Sequence, residues 1–141
     1  MFNPSQHDVR RFFCETYRKH EAREILSPLE AIAAGWVIRH PEYFEDLSDT
    51  ERALGLEYGK DGAQTNPFLH MAMHLTIAEQ VQVDQPPGIR NIFLTLAERH
   101  DEHVAHHEIM ECLGQMIWTS QRNGTPPDGA QYLACLRQRL G

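Results

Sequence analysis

Apolar residues recur at helical spacing along most of the chain, and the strict alternation of a half-buried strand is nowhere sustained. Val9, Phe12, Phe13 and Tyr17 stand at i, i+3, i+4 and i+8 and predict a first helix. Asn3 or Ser5 is its candidate cap, Pro4 is tolerated near its start, and the polar run from Lys19 to Glu24 ends it. Ser27-Pro28-Leu29-Glu30 is a capping box with proline at the first helical position. Leu29, Ile32, Ala33, Trp36 and Val37 make one face of the helix that follows, and Pro41 disfavours helical geometry at His40. Short helical turns are expected from Pro41 to Leu56, with Ser48-Asp49-Thr50-Glu51 as a further box. Gly55 to Asn66 holds three glycines without periodicity and reads as a loop.

Asn66-Pro67 restarts the helical pattern, which should reach about Val83 and stop before Pro86-Pro87-Gly88. Ile89, Ile92, Phe93 and Leu96, then Met110, Gly114, Ile117 and Trp118, continue it. One helix of roughly thirty residues would measure about 45 Å. A break near His100 is the alternative, with Asp101 capping a new helix. Asn123-Gly124-Thr125-Pro126-Pro127 stops the pattern, and a last helix runs from Asp128 to Arg139. The expected fold is all-α: a small bundle of about five helices plus short helical turns, one domain over residues 1–141.

Charge narrows the function classes. A formal net charge of -7 and the lack of a clustered basic stretch argue against nucleic acid. No apolar run reaches the ~18 residues of a membrane span, and Met1-Phe2-Asn3-Pro4 lacks a basic-then-apolar leader pattern. Cys14, Cys112 and Cys135 are scattered and form no CxxC pair. They are expected as small core residues in a reducing compartment, and the protein as soluble and cytoplasmic.

The chemistry concentrates between His70 and Glu111, which hold six of the nine histidines. His70 and His74 are four residues apart, as are His103 and His107, and Glu111 follows four residues later, so each set stacks along one helix face. At about 100° per residue, His70 and His74 share a stripe with Ile77, Ala78 and Val81, while Glu79 points nearly opposite His70. Likewise His103, His107 and Glu111 share a face with Leu96, Met110, Gly114 and Trp118, which should be buried. On this phasing His106 lies on the flank, and Cys112 projects about 140° from His107. His7, His20 and His40 are read as helix-end or surface residues. Four imidazoles and a carboxylate facing inward need partners, and a divalent transition metal, zinc or iron, would satisfy them.

Several segments also resemble a bacterial family known as domain of unknown function 1841. They are Met1-Phe2-Asn3-Pro4-Ser5, Arg10-Arg11-Phe12-Phe13, Thr65-Asn66-Pro67-Phe68-Leu69-His70, Glu79-Gln80, Asp84-Gln85-Pro86-Pro87-Gly88-Ile89-Arg90, and His107 followed by Met110-Glu111-Cys112-Leu113-Gly114. The resemblance spans nearly the whole chain and implies a small, helical, cytosolic protein with no assigned catalytic role. DinB-like bundles, which hold a divalent ion through three histidines including an HxxxH, offer an analogy only.

The leading expectation is thus a metal-binding bundle with ligands His70, His74, His103, His107 and Glu111, the last also the candidate general base if an enzyme of unknown substrate is built on the site. The alternative is a non-enzymatic structural or interaction bundle, such as a homodimer, with a buried histidine network and no metal. No small-molecule ligand is specified by the pattern.

Overall fold

The computed structural model describes residues 5–56 and 66–141, and every described regular element is helical. Most of the glycine-containing loop predicted between Gly55 and Asn66 lies outside the described residues. The described chain divides into two compact units, with the division inside one helix, between Leu75 and Thr76.

The first unit opens with α1 (Gln6–Glu21). Ser5 caps it by accepting from the Asp8 amide while the Asp8 carboxylate accepts from Ser5 N–H, a capping box. The box predicted at Ser27 starts α2 (Pro28–Val37) in the same way, through Glu30. The Glu30 carboxylate is held below its ordinary range, first by the Ser27 amide and then by Lys19 of α1, whose ammonium lies 3.0 Å away. A single 3-10 turn (Pro41–Tyr43) leads into the short helices α3 (Phe44–Leu47) and α4 (Thr50–Gly55). Asp49 rather than Ser48 caps α4, accepting from the Arg52 amide at 3.1 Å, while the Ser48 hydroxyl donates back to Glu45. A short carboxylate one residue nearer the helix wins that competition.

Phe13, Cys14, Ala33, Val37, Leu47, Ala53, Phe68, Met71 and Leu75 form the core of this unit. Burial pushes the Cys14 thiol up, as expected of an inert core cysteine. Arg10 is buried as well: its guanidinium donates to the carbonyls of Ala53 at 2.8 Å and Leu56 at 2.6 Å and lies over the Phe68 ring. It thereby ties α1 to the end of α4. Asn66 starts α5 (Pro67–Val83), its side chain accepting from the Phe68 and Leu69 amides.

The second unit comprises the rest of α5 with α6 (Ile89–Arg99), α7 (Glu102–Asn123) and α8 (Gly129–Leu140). After α5 the chain turns through Asp84, whose carboxylate accepts from the Gly88 and Arg90 amides. Gly88 sits there at φ 102°, where a side chain would be strained. The long helical pattern is broken after Arg99, and Asp101 caps α7 by accepting from Val104 N–H at 2.7 Å. Gly124, at φ 64°, closes α7, and Asp128 caps α8. Ile77, Ile89, Ile92, Leu96, Ala105, Ile109, Leu113, Tyr132 and Leu136 are buried. Tyr132 reaches Gln80 of α5 with its hydroxyl at 2.8 Å, and burial pushes its phenol above the ordinary tyrosine value.

Two cysteine expectations are corrected here. Cys112 and Cys135 are joined in a disulfide that links α7 to α8, with only Cys14 left as a thiol. Sequence spacing conceals the pair because the two come together only when α8 folds back along α7. A bridge across 23 residues restricts the unfolded chain by about 3 kcal/mol. Thermal melts with and without a dithiol reductant should show a lower Tm on reduction, and equal midpoints would rule out a stabilising bridge.

Candidate metal centre

The first unit gathers three histidines. His70 and His74 lie one turn apart on α5, with Nε2 atoms 3.1 Å from each other and ring centroids 4.7 Å apart. His40 follows α2, its ring centroid 5.0 Å from each of the other two. The ligand nitrogens of the three all lie within 4.8 Å of one another. His74 and His40 are buried, at 0% and 3% exposure, and His70 is half-buried.

Each imidazole is oriented by its neighbours. The Trp36 carbonyl lies 2.8 Å from His40 Nδ1. A carbonyl can only accept, so Nδ1 carries a proton, and in the neutral ring that leaves the lone pair on Nε2. Histidines that bind metals are commonly fixed in this manner by a backbone carbonyl. The Tyr43 ring stacks on His40 with planes 1° apart, and burial pushes its phenol up, with Glu42 and Asp46 adding to the shift. Trp36 stacks on His74 at 4.3 Å and 12°, with the Arg39 guanidinium 4.4 Å from its indole.

The spacing suits a small cation. Two nitrogens on one tetrahedral zinc ion, each at about 2.0–2.1 Å, stand about 3.3 Å apart. At 3.1 Å the His70–His74 pair needs to open only slightly. This cluster can hold a metal ion.

In the second unit His103 and His107 lie side by side on α7, ring centroids 4.6 Å apart, half-buried and exposed respectively. Glu111, one turn further, is 64% exposed at its side chain and forms an ion pair with Arg139 of α8, which also reaches Glu108 at 3.2 Å. The buried stripe of α7 is Ala105, His106, Ile109, Met110, Cys112 and Leu113, not the predicted face of His103, His107, Glu111, Gly114 and Trp118. Phasing from Leu96 fails because the break at His100 restarts the helix, so α7 turns its own stripe toward its neighbours. His106, expected on the flank, is buried with its ring edge-on to Phe93 at 5.5 Å.

His40 is the residue that sequence reasoning placed on a helix end and surface. It does follow the helix end, but it is buried in the cluster. One signal for it was present: Leu29, Ala33, Trp36 and His40 repeat at four- and three-residue steps, so His40 extends the apolar stripe of α2.

The family model described as Domain of unknown function (DUF1841) matches residues 5–138. No curated protein and no solved structure matches the chain. Since the matched region covers almost the whole sequence, the chain belongs to that family.

Proposed function

We propose that this member of the DUF1841 family binds one divalent transition metal through His40, His70 and His74. The observation that carries the reading is the orientation of His40. A backbone carbonyl and a stacked tyrosine hold its Nε2 lone pair among two further imidazoles. Nitrogen donors suit zinc, iron, nickel and copper rather than magnesium or calcium.

One observation favours a different reading. At 3.1 Å the Nε2 atoms of His70 and His74 also satisfy a direct hydrogen bond, as a metal-free polar network would require. Elemental analysis separates the two. Untagged protein purified without chelator should carry close to one equivalent of zinc or iron, and His40→Ala should carry none. Metal-free wild-type protein that stays metal-free after incubation with zinc and desalting would overturn the metal reading.

A further inference from the structure

The donors proposed for the metal are all imidazoles; among the described residues no carboxylate or thiol belongs to the set. Neutral imidazole brings no charge, so a divalent ion held by it retains its full double positive charge. Glu42 and Asp46 act on the neighbouring Tyr43 but are not part of the ligand set. His40 and His74 are buried, so that charge would sit in an environment poor in solvent, where an uncompensated ion is costly. From these facts we infer that the centre takes a small carboxylate-bearing ligand, which supplies both the missing negative charge and an oxygen donor. His70 is half-buried where the other two are closed off, so the approach is from its side. The inference rests on the metal reading above and adds the chemical class of the ligand.

The test uses the full chain loaded with cobalt(II), whose visible absorption reports its coordination. Acetate, azide and neutral acetamide are added separately at ionic strength held constant with perchlorate. Acetate and azide should shift the cobalt bands along saturating curves, and acetamide should act at least about tenfold more weakly. Bands that form on loading but respond to neither anion would overturn the carboxylate inference while leaving the metal reading intact. Failure of cobalt to bind at all would sink both.

Discussion

On the metal reading proposed above, His74→Ala is expected to abolish the stabilisation that zinc would give the protein. A ligand that binds only the native state adds about 4 kcal/mol at a thousandfold excess over its dissociation constant. That gain should be visible as a difference in melting temperature between zinc-loaded and chelator-treated wild-type protein. His74 is fully buried and stacked on Trp36, so its truncation also leaves a cavity and lowers the chelated baseline. The informative quantity is therefore the zinc-minus-chelator difference within each protein, which cancels the packing loss. It should be large in wild type and close to zero in His74→Ala. Because His70 is half-buried, His70→Ala would remove a proposed ligand with less damage to packing and should show the same loss. Persistence of the full difference in both variants would mean that these residues do not bind the ion.

Arg10→Met is expected to cost about 4 kcal/mol. Methionine matches the aliphatic stem but leaves the Ala53 and Leu56 carbonyls without the guanidinium donors at 2.8 and 2.6 Å. Hydrogen bonds to charged groups are worth about 1.5–3 kcal/mol each, and a buried acceptor stripped of its donor retains its desolvation penalty. Loss of the cation over Phe68 adds to this. Urea denaturation followed by circular dichroism should show a lower midpoint. Arg10→Lys should recover only part of the loss, since an ammonium lacks the planar fork that reaches two carbonyls. A loss of unfolding free energy under about 1 kcal/mol, taken as the midpoint shift times the m value, would show that the end of α4 is held by other contacts.

The helices were legible because their signals are local. Capping boxes at Ser27 and prolines at the first helical turn mark element starts without reference to the rest of the fold. The pair on α5 was legible for the same reason, since one helix places His70 and His74 together. His40 was not, because its place in the cluster depends on how the end of α2 meets α5 across thirty residues of sequence. The face of α7 was misread for a related cause: the break at His100 removes the phase relation on which the projection from Leu96 depended. The Cys112–Cys135 bridge is likewise a product of helix pairing rather than of spacing.

The stacking of Trp36 on His74 gives the chain an internal light source at the histidine cluster. Of the two tryptophans, Trp36 is 5% exposed and Trp118 is 58% exposed beside Arg122. The two indoles thus sample an apolar and a watery surrounding, and their emissions separate by colour. Any event at His74 acts on the indole lying against it, so the short-wavelength part of the fluorescence reads the cluster while Trp118 serves as an internal reference.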